Sequence, residues 1–429
     1  MKVFATALAF CLSACATTLP ADEHQPADVV VAWNERILAI AEAEDGFLTL
    51  KGVRTAAMMH IAMHDALTSI HGRYVPYVYD RPAPKADPVA AAVQAVFVVA
   101  VDQYPDRQET LATLRDEWLS DIAAPNSGLE VGEAAARAIL REREADGWDT
   151  EAEYRWHPMA PGVYAEFADH SGTPQGFIFG AGWAGALPFA LESHDPFRSP
   201  PPPAIESAAY TRAFDEVKRA GRFQSIVRTV DQTHLALWWK DFAENSHNRL
   251  ARDLVSKERL GLDEAARLFA LLNISIFDSY VNVFDNKFFY NHWRPYTAIR
   301  WAANDGNADT QPEETWTNTH RHTYAFPSYP SAHGTACAAA MTIIADTFGD
   351  DYPFTMATPT VDIAGPFSGK IEMKPPTRDF RNFDEAAKEC AMSRVYLGIH
   401  FRYDSVEGNK LGKRIGGYVR EHYLVRKPM

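Results

Sequence analysis

Cysteine is scarce in this chain: 4 residues in 429, two of them, Cys11 and Cys15, within the first fifteen. A disulfide-stapled mini-domain framework is thereby excluded. A surplus of positive charge is also missing. Lys and Arg number 42 against 56 Asp and Glu, a net charge of −14, which argues against a general nucleic-acid or anionic-membrane binder. Any anion site must therefore be a local basic cluster. After the first fifteen residues no apolar run reads as a membrane span, no alternating strand pattern stands out, and no short repeat recurs. What the chain has in quantity is apolar residues, 47 % of the total, enough to bury a sizeable core.

The N-terminal stretch reads as a targeting segment. Lys2 precedes a short apolar run, Val3 to Leu12, and Leu12-Ser13-Ala14-Cys15 resembles a bacterial lipobox. Two cleavages fit. One leaves Cys15 as a lipidated N-terminus, and the other is ordinary signal cleavage after Ala14-Cys15-Ala16. Either exports the protein, to the periplasm or outer membrane as a lipoprotein or as a secreted chain. The remaining cysteines, Cys337 and Cys390, pair if their helices touch in an oxidising compartment, or stay as buried thiols.

Helical apolar spacing recurs along the chain. It predicts helices over Val29–Ala43, Lys51–His71, Asp87–Tyr104, Arg107–Ile122, Leu129–Asp146, Ile205–Arg219, Asp231–Val255, Leu262 to about Arg300, Thr335–Phe348, Phe383–Leu397 and Asp404–His422. Residues 150–203 break the pattern with scattered Gly, Pro and aromatics, and read as a long ordered loop. The expectation is an all-α protein of two packed helix bundles with long ordered loops. Residues 1–20 form the signal and start of the tether, 21–203 an N-terminal helical half, and 204–429 a C-terminal bundle carrying the site. His60 and His64, one turn apart beside Asp65, fit a metal site on one helix face or, more simply, packed histidines.

Three segments concentrate chemistry. Lys287 and Arg294 are seven apart, so on one helix both project from one face. Tyr329-Pro330-Ser331-Ala332-His333 reads as a helix start with Pro330 in the first turn, whose outward N–H groups suit an oxyanion. Arg394 and His400 are six apart and would diverge by roughly 120° on a continuous helix; Gly398 predicts a break that lets His400 turn back. Together they supply Lys287, Arg294 and Arg394 as cations, Ser331 as hydroxyl, the Ala332 amide, and two histidines. That is an inventory for holding an oxyanion with acid–base groups beside it.

In this order and spacing the segments resemble the signature of the vanadium-dependent haloperoxidase and type-2 phosphatidic-acid phosphatase superfamily. Phe326-Pro327-Ser328-Tyr329, Phe401-Arg402-Tyr403-Asp404, Met63-His64-Asp65-Ala66 and Gly72-Arg73-Tyr74 are similar to the soluble haloperoxidase branch. Ala332 departs from the glycine of the widespread pattern, which is tolerable because only its amide is needed. The resemblance implies orthovanadate as cofactor, with His400 as its axial ligand. Lys287, Arg294, Ser331, the Ala332 amide and Arg394 would hold its oxygens, with His333 beside them. The catalytic residues would then be His333 as acid–base partner for hydrogen peroxide, Lys287, and His400, with Phe326 on the halide side. The implied reaction oxidises halide, iodide or bromide before chloride, to a hypohalous-acid equivalent that reaches a small organic acceptor. The alternative is an exported acid phosphatase acting through a phosphohistidine at His400. No nucleic-acid partner is expected, the membrane is reached only through an N-terminal lipid anchor, and the oligomeric state, a homodimer included, stays open.

Overall fold

The computed structural model describes residues 27–165, 178–193, 195–364 and 368–428. The targeting segment and Cys15 lie outside the described residues, as does part of the 150–203 loop. The fold is helical, as the apolar spacing predicts. The N-terminal half holds α1 (Asp28–Asp45), α2 (Lys51–His71), α3 (Pro88–Gln103), α4 (Gln108–Leu119) and α5 (Asn126–Glu142). Their ends are written in the sequence: Gly46 and Gly72 stop α1 and α2 in the left-handed region, and the Asp87 side chain caps α3 at the Ala90 amide.

The C-terminal half holds α6 (Ala208–Ala220), α7 (Val230–Trp238), α8 (Ala243–Glu258), α9 (Leu262–Tyr290), α10 (Pro295–Trp301), α11 (Ala332–Phe348), α12 (Phe383–Leu397) and α13 (Arg402–His422). The central element is α9, which packs on α2 of the first half and on α11 and α13 of the second. One apolar core runs through both halves along it. By length and composition α9 could cross a membrane, contrary to the expectation that no such run exists. It is instead a core helix whose most apolar window is 94 % buried.

Three expectations need correction. Asp231–Val255 is two helices, because the chain breaks at 239–242 and Phe242 is extended. The break frees the Trp239 carbonyl, which a continuous helix would have used. Leu262–Arg300 is also broken. Asn291 turns left-handed at φ 45°, and Arg294 is extended (φ −86°, ψ 154°) because Pro295 disfavours the α conformation before it. Finally, residues 354–380 form two small antiparallel pairs, β1 (Phe354–Ala357) with β4 (Thr377–Phe380) and β2 (Thr360–Asp362) with β3 (Lys370–Glu372). Strands of three or four residues are too short to show an alternation.

The approach of α13 to α11 positions the site. Gly408, Gly412 and Gly416 face α11 at four-residue spacing. A Cβ on them would lie 2.5 Å from the Ser331 carbonyl oxygen, 2.1 Å from that of Thr335 and 2.8 Å from that of Ala339. Only glycine permits this backbone contact. On the other side, Cys337 of α11 and Cys390 of α12 are joined as a disulfide, with Cα atoms 6.6 Å apart. That resolves the choice left by the sequence in favour of pairing. His60 and His64 are both buried; His60 Nε2 meets Asn34 and His64 Nδ1 meets Asp65.

Candidate active site

The site is built where α9 ends, α11 begins and α12 ends. Lys287 and Arg294 do not share one helix face, because the chain breaks between them. Lys287 is in the last turn of α9 and Arg294 is the residue before α10. Both are fully buried. Lys287 Nζ donates to the carbonyls of Pro327 (3.0 Å), Ser328 (2.8 Å) and Pro330 (2.6 Å). An ammonium has three N–H groups, so Lys287 organises the segment leading into α11. Burial, followed by the nearby Arg294 charge, pushes its pKa well below the usual lysine range. Arg294 donates from Nε to the Phe326 carbonyl (2.8 Å) and from Nη1 to the Ile399 carbonyl (3.0 Å), and Nη1 lies 3.2 Å from His400 Nε2.

That last contact fixes a tautomer. A guanidinium only donates, so His400 Nε2 accepts and Nδ1 carries the hydrogen. The Nδ1–H meets Asp404 Oδ2 at 2.9 Å, and the same oxygen accepts from the Ser328 hydroxyl and the Phe401 amide (3.1 Å). Burial pushes Asp404 up to about 7 and, with Arg294, Lys287, Arg394 and His333 nearby, pushes His400 well down. The pair is a neutral imidazole held by a carboxyl group. The Nε2 lone pair faces the site, with its ring orientation set from behind. As predicted, α12 stops at Gly398 (φ 82°) and His400 turns back.

Ser331 is the N-cap of α11, so Pro330 precedes the helix and does not occupy its first turn. The Ser331 oxygen accepts from the Gly334 amide (3.2 Å), which leaves its hydroxyl hydrogen for another acceptor, and its amide donates to the Asp404 carbonyl (3.0 Å). The amides of Ala332 and His333 belong to the first turn and have no intrahelical partner. Arg394 donates from Nη2 to the Trp239 carbonyl. The Trp239 backbone lies beside the His333 ring, where it acts against the lowering of its pKa. His333 Nε2 is buried without a hydrogen-bond partner. Burial, then the charge of Arg394, holds His333 well below its usual pKa, so the ring is a neutral base. Burial brings Arg294 and Arg394 each down to about 10.

Phe326 walls the cations. Its ring centroid is 4.5 Å from the Arg294 guanidinium carbon and 5.1 Å from Lys287 Nζ, among Phe179, Phe284 and Tyr324. Thus Lys287, Arg294, Phe326, Ser331, Ala332, His333, Arg394 and His400 all come from the connected elements around this one centre. Sequence reasoning missed three supports: Asp404, Ser328 and the Trp239 carbonyl. The four-residue step from His400 to Asp404 was a usable signal for the first, whereas nothing in the sequence marks a carbonyl.

Buried nitrogen atoms on three of these side chains have no hydrogen-bond partner: Arg294 Nη2, Arg394 Nε and His333 Nε2. Two cationic donors and a base beside a free hydroxyl hydrogen and helix-start amides suit a small oxyanion, vanadate included. Together with the fold, they define an α-helical bundle protein with a buried oxyanion cradle.

Residues 267–426 match the family model described as the VCPO second helical-bundle domain. The vanadium chloroperoxidase of Curvularia inaequalis is 28 % identical over 275 residues, 51 % of this chain. That match spans 44 % of the relative's length. A bacterial vanadium-dependent iodoperoxidase structure superposes with TM-score 0.75 at 21 % identity, covering 94 % of this chain and 97 % of that one. A holo-type bacterial vanadium-dependent chloroperoxidase gives TM-score 0.67 at 17 % identity, covering 95 % and 96 %. The chain is thus similar to vanadium haloperoxidases in its second helical-bundle domain, and it shares the fold of the bacterial vanadium-dependent enzymes.

Proposed function

We propose that this protein is a vanadate-dependent haloperoxidase that oxidises iodide or bromide, before chloride, with hydrogen peroxide to a hypohalous-acid equivalent, delivered to a small organic acceptor. The observation that carries this reading is the set of unpartnered buried nitrogens on Arg294, Arg394 and His333 around the His400 Nε2 lone pair. His400 would hold vanadate through its Nε2 lone pair. Arg294, Arg394, the Ser331 hydroxyl and the Ala332 amide would hold its oxygens. Lys287 joins them by exchanging one of its three carbonyl contacts. Bound vanadate supplies a Lewis-acidic centre that activates peroxide. His333 Nε2 is placed to take the peroxide proton, because burial keeps the ring neutral at and below its ordinary pKa. Asp404 holds the His400 tautomer, and the Phe326 wall keeps water from the cation side, where the halide would approach. The order of halides leans on likeness to an iodoperoxidase. Export through the N-terminal segment, by either cleavage, belongs to the same proposal.

A phosphate ester would fit the same donors, but the named relatives are haloperoxidases. The test is purified protein loaded with orthovanadate and given peroxide with iodide, bromide or chloride in turn, with p-nitrophenyl phosphate in a parallel arm. The expected result is iodide or bromide oxidation in proportion to retained vanadate, abolished in His400→Ala. Phosphate-ester hydrolysis inhibited by vanadate, without halide oxidation, overturns the proposal.

A further inference from the structure

Between α6 and α7 the chain exposes a cluster of large apolar side chains on an acidic protein. Phe223 is 45 % exposed, Ile226 98 %, Val227 43 % and Val230 88 %. The segment is firmly pinned. The Phe223 amide donates to the Thr317 carbonyl (2.8 Å), and the Ser225 hydroxyl to the Arg219 carbonyl (2.8 Å). Arg228 reaches the carbonyls of Ala220 and Arg222 and the Thr319 hydroxyl. A capping box at Thr229 starts α7. Polar groups therefore fasten the turn from within while its apolar side chains face outward. Exposing a contiguous apolar patch is unfavourable unless something covers it.

The surrounding charge indicates what covers it. Arg219 and Arg321 are exposed beside the turn and make no ion pair among the described residues, and the Arg321 guanidinium lies 5.0 Å from the Phe223 ring centroid. Of the carboxylates nearby, Glu313 pairs with Arg222 and Asp231 with Arg378. An apolar knob with an arginine collar has the chemistry of an interfacial anchor. The side chains enter the acyl boundary while the guanidinium groups meet anionic headgroups. The same surface is tied to the site, because Thr319 bonds both Arg228 and the Tyr396 carbonyl near the end of α12.

We propose that the turn carrying Phe223, Ile226, Val227 and Val230, with Arg219 and Arg321, docks this protein on an anionic lipid surface. This membrane contact is separate from any N-terminal anchor and does not depend on the reaction catalysed. The test is flotation of the full chain with vesicles of 70:30 phosphatidylcholine:phosphatidylglycerol, and with pure phosphatidylcholine, at low and high salt. Ile226→Asp/Val230→Asp and Arg219→Ala/Arg321→Ala are run beside the parent. The first pair is exposed and Asp suits a helix start, so its fold should be unchanged by circular dichroism and Tm. The expected result is salt-sensitive binding to the anionic vesicles, at least ~10-fold weaker in the Asp pair and roughly 10-fold weaker in the Ala pair. Absent binding by the parent, or equal binding by parent and Asp pair, overturns the proposal. So does a parent dimer in light scattering that the Asp pair converts to monomer, which would assign the patch to a second copy.

Discussion

Gly408→Ala tests whether the close approach of α13 to α11 sets the site. The new Cβ would lie 2.5 Å from the Ser331 carbonyl oxygen and 3.2 Å from its Cβ and amide nitrogen. These are backbone atoms and a short side chain, so no flexible end can swing away. Restoring an ordinary C···O contact of ~3.3 Å needs a shift of roughly 0.8 Å between the helices. Overpacking of this kind costs about 1–3 kcal/mol, against a gain of about 1 kcal/mol from replacing a helical glycine. The net change is a loss of up to about 2 kcal/mol. The site feels the same shift, because Asp404, one turn before Gly408, holds the Ser331 amide and His400 Nδ1. A misplacement of about 1 Å can cost on the order of 10²-fold in catalysis. Urea midpoints give the stability change, and vanadate retention with halide oxidation gives the effect on the site. Gly417→Ala is the control, since its Cβ meets nothing within 4 Å; it should be neutral or stabilising by about 1 kcal/mol. If Gly408→Ala matches Gly417→Ala in midpoint and vanadate retention, the packing argument is wrong.

The remaining predictions concern the groups behind the site. Asp404→Asn should weaken vanadate binding by about 10–100-fold with the fold retained, as read by vanadate titration; unchanged affinity removes Asp404 from its orienting role. Glu244 is buried against the Tyr280 hydroxyl at 2.6 Å, and burial pushes it up to about 7. A carboxyl raised on folding holds its proton more tightly when folded, so its contribution to stability falls as pH rises from about 4.5 through about 7. Glu244→Gln should therefore gain about 2 kcal/mol relative to the parent between pH 5.5 and 8.5, in denaturation curves at the two pH values; a constant difference refutes the assignment. Cys337→Ala/Cys390→Ala opens a cross-link between residues 53 apart and should cost about 2–4 kcal/mol. A urea midpoint unchanged from the parent would show that the helices are held without it.

What the sequence made legible follows the range of each interaction. Helix positions rest on local periodicity and caps, and α2 and α12 begin and end where the pattern places them. The break at Gly398 was legible because two useful residues six apart cannot share a face. The break after Tyr290 was not, because apolar spacing runs on past it, although Pro295 carried the signal. The site's donors were legible as residue types at fixed spacings. Their states were not, because a state depends on atoms from remote segments. The three carbonyls that occupy Lys287 lie 40 or more residues away, and the carbonyl of Trp239 lies 94 positions before His333 and 155 before Arg394. The Arg294 guanidinium, 106 positions before His400, decides which nitrogen of that ring carries the hydrogen. With Nδ1 protonated, His400 turns its Nε2 lone pair toward the centre, where His333 Nε2 has no partner. A sequence motif names the histidine; only the Arg294 guanidinium and the Asp404 carboxyl set the form in which it would meet an anion.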